Sequence, residues 1–386
     1  MKPYLAIAAG VPLLLVAGVA CTNYLLDPYL IHQWNSPQVQ RLRQPVEKLN
    51  AWGKAYAIAV FQPDTVYLGN SRTELGLPVP RSGAGRVFNA ALSGATLGDA
   101  IRMLQHVRQS GPVHSVTWGI DAPSFTLAAG NSELETAVVA SDGTYLARRV
   151  LLDLQRAVSV DMTRASLAML DGTAERVCRA SLAHYGQRDA DCMRHRIAGW
   201  GGTGAVVAAR TREFLRGAGP SEDAMPALER TLRAACPIRW RLYVNPTHAM
   251  TIDALYRAGR GAQYENWLAA LAAMGQRVRA AGCDARIYDF AGFNGVTSEP
   301  VPREGDRSDM RNYWETSHYR EHVGRAILAR LAGGPAGPDG FGAELEPATV
   351  GKRIAALRAA RGAYLSTHPY EAGLAQRVAA NYAVGL

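Results

Sequence analysis

Lysine is nearly absent from this chain: of 42 basic residues only Lys2, Lys48, Lys54 and Lys352 are lysines. The formal charge of +9 is therefore carried by arginine, with no block of five or more basic residues and no arginine run interleaved with aromatics. Nucleic-acid binding would need such a footprint and is not expected. Charged residues make up only 19% of the 386 and hydrophobic ones 48%. That balance excludes a largely disordered chain and allows one large core or two modest ones. Cysteine is scarce too, five in all, without the close pairs that zinc sites use, so no metal is expected. Nucleotide and flavin motifs are missing, and no cofactor is expected.

One long apolar run is present. Residues 4–26, YLAIAAGVPLLLVAGVACTNYLL, carry no charge, and only Thr22 and Asn23 are strongly polar. At 1.5 Å per residue the run can span about 30 Å of hydrocarbon. The leading reading is a retained single-span anchor (1–27) that holds the chain in a bacterial inner membrane with its globular part in the periplasm. Two alternatives stand beside it: a signal peptide cut after Gly18-Val19-Ala20, although such peptides have shorter apolar runs, or lipid modification at Cys21. Of the other cysteines, Cys236 and Cys283 each stand just before a strand-like segment. If those strands are parallel neighbours in register, the two come within the roughly 4.4 to 6.8 Å Cα span of a disulfide, and Cys178 would pair with Cys192. Four buried reduced thiols is the alternative.

After a juxtamembrane segment (28–60) with Val46, Leu49, Trp52, Tyr56 and Val60 at helical spacing, the rhythm changes to short apolar runs at 64–69, 86–92, 114–121, 238–244 and 285–290. Helical segments at 97–109 and 263–282 alternate with them. That alternation predicts an α/β fold with a doubly wound five-stranded parallel sheet. A helical insertion at about 122–235 begins where the third strand ends, in position to overhang the ligand crevice of such a sheet. The α/β domain runs over 61–331, a Gly/Pro linker over 332–342, and two amphipathic helices form a C-terminal tail over 343–386.

The segment VYLGNSRTELGL (66–77) puts Ser71 at a strand-to-helix turn, where it serves either as an N-cap or as a nucleophile near backbone amides that can stabilise an oxyanion. A nucleophilic serine needs a base, and the base needs an orienting acid. The segment NYWETSHYREHVG (312–324) offers both, His318 three residues after Glu315.

These pieces resemble SGNH hydrolases, in which an Asp-x-x-His pair precedes the last helix of the domain and works with a serine near its start. FNAALSGAT resembles the family's glycine block, with Gly94 in position to give an oxyanion-hole N–H beside that of Ser71. WGID is a partial match to the Gly-x-Asn-Asp block, with Gly119 and Asp121 but no asparagine. The arrangement looks most like membrane-anchored envelope members related to the O-acetyltransferases of alginate export. It implies an α/β/α sandwich and a serine esterase or O-acyltransferase acting on a glycan or small ester, with envelope polysaccharide-modification proteins as partners.

Two departures stand out. Glu315 replaces an aspartate, and Asp121 replaces an asparagine, although an ionised carboxylate cannot donate to an oxyanion. Asn89 or Asn70 then supplies the amide, or the hole has backbone donors only. Further candidates for substrate contact are Arg72, which either grips an anionic group or forms a salt bridge, Asp121, His248 and Trp314, the last beside Tyr313. Asp289 is an alternative orienting acid for His318. His322 has no ligand set around it for a metal. The rival function is a catalytically silent carbohydrate-binding or scaffold subunit that keeps the sheet but has lost the hole at Asp121.

Overall fold

The computed structural model describes residues 2–32, 36–43, 47–80, 85–131, 133–134, 138–140, 142–171, 178 and 184–383. Val46 and part of the insertion lie outside them. The strands are β1 (Thr65–Leu68), β2 (Val87–Asn89), β3 (Ser115–Ile120), β4 (Arg239–Val244), β5 (Ala285–Asp289), β6 (Tyr313–Glu315), β7 (His318–Tyr319) and β8 (Ala343–Glu344). Among the described residues they form a six-stranded sheet, in the order β2-β1-β3-β4-β5-β8, and a separate β6-β7 pair, together with fifteen α-helices.

The first five strands are parallel, with Thr65 opposite both Val87 and Ser115, Val116 opposite Trp240, and Trp240 opposite Ala285. All six residues of β3 are buried, as befits a central strand with neighbours on both sides and side chains packed on both faces. Five parallel strands were expected; the sixth, β8, is antiparallel and pairs with Tyr288 and Asp289. Two residues behind a Gly/Pro-rich segment have no periodicity to read, and the partner strand alone makes them a strand.

The C-terminal helices, Pro347–Thr367 and Pro369–Ala383, pack on the sheet domain. Arg353 reaches Asp289 at 2.8 Å, Arg361 reaches Asp253 at 2.7 Å, and Glu371 accepts the Val301 amide. The helix Ala51–Phe61 likewise belongs to the core, with Ala55, Tyr56 and Ile58 buried and Val60 facing out. Cys236 pairs with Cys283 and Cys178 with Cys192, at Cα separations of 4.4 and 4.8 Å. At the other end of the chain, the helix Lys2–Leu26 contains a stretch, Ile7–Leu26, long and apolar enough to cross a membrane.

Strand order reverses between β1 and β3. In open α/β sheets the crevice beyond the carboxyl ends of the strands at such a reversal is where ligands bind. Ser71 follows β1 and Asp121 follows β3, so both stand at this point.

Candidate functional site

The turn after β1 is built on Gly69, whose φ is +142° and whose place a Cβ could not take, because it would lie 2.5 Å from Thr73 Oγ1 and 2.8 Å from the Gly119 carbonyl. Asn70 then caps the short helix Ser71–Gly76, its Oδ1 accepting the Arg72 amide at 3.1 Å. The capping role foreseen for Ser71 thus falls to its neighbour, and the Ser71 hydroxyl is left to the cleft. Across that cleft β6 and β7 form a tight hairpin in which Glu315 pairs directly with His318. The three-residue spacing between carboxylate and imidazole is therefore a cross-strand contact, which the longer glutamate side chain bridges.

The three side chains lie in series. His318 Nε2 is 2.9 Å from Ser71 Oγ, and His318 Nδ1 is hydrogen-bonded to Glu315 Oε1. Glu315 Oε2 accepts the Ser317 amide at 2.7 Å, and Arg210 Nε stands 3.8 Å from Oε1. Burial by itself would raise the carboxyl of fully buried Glu315. The charge and hydrogen bond of His318, the Arg210 guanidinium and the Ser317 amide outweigh it and hold the group below its usual value. A carboxylate kept ionised on Nδ1 leaves Nε2 to accept a proton from the serine.

The cleft around Ser71 and His318 has a volume of about 380 Å³. Gly94 lies on its rim in a left-handed conformation, φ +74°. Ser71 and Gly94 both line the cleft, and the backbone amide of neither donates to an acceptor among the described residues. The opposite wall comes from the expected insertion: Pro123 to Ala129 on one side, and Arg210, Glu213 and Phe214 of the helix Thr203–Arg216 on the other.

Asn89, expected at the oxyanion hole, is turned away from it. It is fully buried, and its Nδ2 donates to the Thr73 carbonyl at 3.0 Å while its Oδ1 accepts the Ala91 amide. Asn70 lines the cleft, but its Nδ2 donates to Asp121 Oδ2 at 2.7 Å. Asp121 is a hub: the same Oδ2 also accepts Asn245 Nδ2 at 2.9 Å and pairs with Arg72 at 3.1 Å. Arg72 in turn donates to the Ser317 carbonyl at 3.1 Å and lies over the Phe214 ring. Arg72 and Asp121 thus tie the Ser71 turn, the end of β3 and the His318 hairpin together, and Arg72 also lines the cleft.

Other candidates stand elsewhere. His248 is fully buried, caps the helix Ala249–Arg257 and bonds the Glu299 carbonyl; desolvation lowers its pKa to about 4, so it is a neutral structural histidine. Trp314 is buried against Leu75, Met193 and Ile197, with Arg320 over its ring. Tyr313 is buried and donates to the Pro246 carbonyl. Asp289 is engaged by Arg353 and the Ala291 amide, and His322 by Asn312.

Sequence reading missed a buried polar chain beneath the site. Tyr243 OH lies 2.9 Å from Thr73 Oγ1 and 3.0 Å from Tyr319 OH, which donates to Asn245 Oδ1 at 3.3 Å. Burial raises the pKa of both tyrosines, so they remain neutral links. It also missed Lys54, fully buried and 2.8 Å from buried Glu74, whose other oxygen accepts the Ser93 hydroxyl beside Gly94. A lone lysine in an apolar helix, and an asparagine directly after a strand, were the available signals. No protein-family model, no curated protein and no solved structure matches this chain.

Proposed function

We propose that this chain is a membrane-anchored serine esterase or O-acyltransferase of doubly wound, SGNH-like layout, acting on an ester in the bacterial periplasm. The observation that carries the reading is the 2.9 Å approach of His318 Nε2 to Ser71 Oγ, with Glu315 on the other imidazole nitrogen. Ser71 Oγ attacks the ester carbonyl as His318 takes its proton, and Glu315 stabilises the imidazolium. The amides of Ser71 and Gly94, which meet no acceptor among the described residues, receive the oxyanion; two backbone donors suffice without the missing asparagine. Collapse releases the alcohol, which takes the proton from His318, and leaves the acyl group on Ser71. Water or a glycan hydroxyl then attacks that ester with His318 as base. Paired cysteines suit an oxidising compartment.

The test is acetyl-ester hydrolysis by the full chain in detergent micelles, compared with Ser71→Ala and His318→Ala. Activity abolished by both substitutions, with an unchanged melting curve, supports the reading. A wild type as inactive as the variants on several acetyl esters overturns it in favour of the silent glycan-binding subunit.

A further inference from the structure

Outside the N-terminal helix, exposed large apolar side chains concentrate on two consecutive helices of the insertion. Leu146, Val150, Leu151 and Leu154 of the helix Tyr145–Ala157, and Leu167 and Leu170 of the helix Val160–Leu170, are each more than half exposed. The first four follow helical spacing and form one stripe. A helix packed on a soluble domain turns such a stripe inward and its charges outward. The helix Tyr145–Ala157 does the reverse, while Val160–Leu170 buries Met162 and Met169 and leaves Leu167 and Leu170 outside. Arg149 lies over the Tyr56 ring at 3.9 Å and Arg156 over the Trp52 ring at 3.7 Å, both on the domain side, while the leucines face away.

The same pair is joined to the apolar N-terminal helix. Asn23, fully buried near the end of that helix, donates to the Ala157 carbonyl at 2.8 Å and to Thr163 Oγ1 at 3.0 Å. The hairpin is thus joined to the C-terminal end of the apolar segment Ile7–Leu26, whose Leu13, Leu14 and Leu25 are also exposed.

We infer that residues 145–170 are a second membrane contact: a helical hairpin seated in the lipid interface, its leucine face in the acyl-chain boundary. An amphipathic helix in this position buries its apolar face about 5 to 10 Å deep. The inference rests on Ile7–Leu26 spanning the bilayer. With two contacts the domain is held at a fixed orientation to the membrane and does not swing on a single tether, so the Ser71 cleft keeps one attitude towards the surface.

The experiment is photolabelling of the full chain, reconstituted into phosphatidylethanolamine/phosphatidylglycerol vesicles containing a diazirine phospholipid, with adducts mapped by mass spectrometry. Adducts are expected over both 7–26 and 145–170. In Leu151→Glu/Leu154→Glu, whose changes lie on the exposed face, the yield over 145–170 should fall about tenfold while that over 7–26 stays. Adducts on 7–26 alone overturn the inference, as do cross-links joining 145–170 of two copies in place of lipid adducts. Loss of adducts from 7–26 as well would instead overturn the spanning reading on which the inference rests. The wild-type map decides the matter even if the double variant fails to fold.

Discussion

Asp121→Asn separates two arguments about the same position. The family resemblance suggests that an asparagine here completes an oxyanion hole, so the substitution should raise activity. The structure gives the opposite sign. Asp121 Oδ2 receives three donors, one of them the guanidinium of Arg72, and Asp121 is 3% exposed. Asparagine keeps the shape but removes the charge, so Arg72 loses its counter-ion and two amide contacts fall from charge-assisted to neutral strength. Removing one partner of a buried pair costs about 3 to 5 kcal/mol, and the retained shape and neutral contacts put this case near the lower end. For a cooperative unit of roughly 300 residues, an unfolding entropy of about 2.1 cal/mol/K per residue converts about 3 kcal/mol into a fall in Tm of about 5 °C. Arg72 also holds the Ser317 carbonyl next to His318, so any esterase activity should drop on the order of tenfold or more as the hairpin loosens. The assays are thermal melting by circular dichroism in detergent and acetyl-ester turnover. A Tm within a degree of wild type, or a rise in activity, would refute the reasoning.

Glu315→Gln should lower kcat by about 10² to 10⁴ with little change in KM, because the imidazolium loses its carboxylate. The Glu315 pKa lies below its unfolded value, so this residue contributes stability that is fully present above the unfolded pKa near 4.5 and lost as pH falls through the folded one; urea titrations between pH 3 and 6 should show a shallower acid loss in the variant. Gly119→Ala places a Cβ 2.2 Å from Thr73 Oγ1 and 2.7 Å from Tyr243 OH, and should destabilise by about 1 to 3 kcal/mol in chemical unfolding; a neutral result would show that the polar chain yields freely. Lys54→Met strands the buried Glu74 carboxylate and should cost about 3 to 5 kcal/mol, with Lys54→Met/Glu74→Gln recovering much of it. A double variant no more stable than the single would contradict the ion-pair account.

How much was legible follows from the range of each interaction. The apolar runs of β1 to β5 and the helices between them carry local periodicity, and the apolar run at 4–26 reads as a potential span from length alone. Ser71, Glu315 and His318 were legible because a strand-to-helix serine and a carboxylate three residues before a histidine are short-range patterns. That they meet, with His318 Nε2 at Ser71 Oγ across 247 positions of sequence, required the tertiary structure.

What the sequence determined by itself was element type and the residues able to do chemistry, since both depend on neighbours along the chain. Tertiary structure alone decided orientation: Asn89 buried behind the turn, Arg72 paired with Asp121, His248 and Trp314 packed away from the cleft, and β8 created by its partner strand. Buried polar groups must find partners or pay the loss of water, and which partner each finds depends on how distant segments are brought together. The outward leucines of 145–170 show the same division, because their spacing is local but the side they face is set by what the rest of the chain packs against.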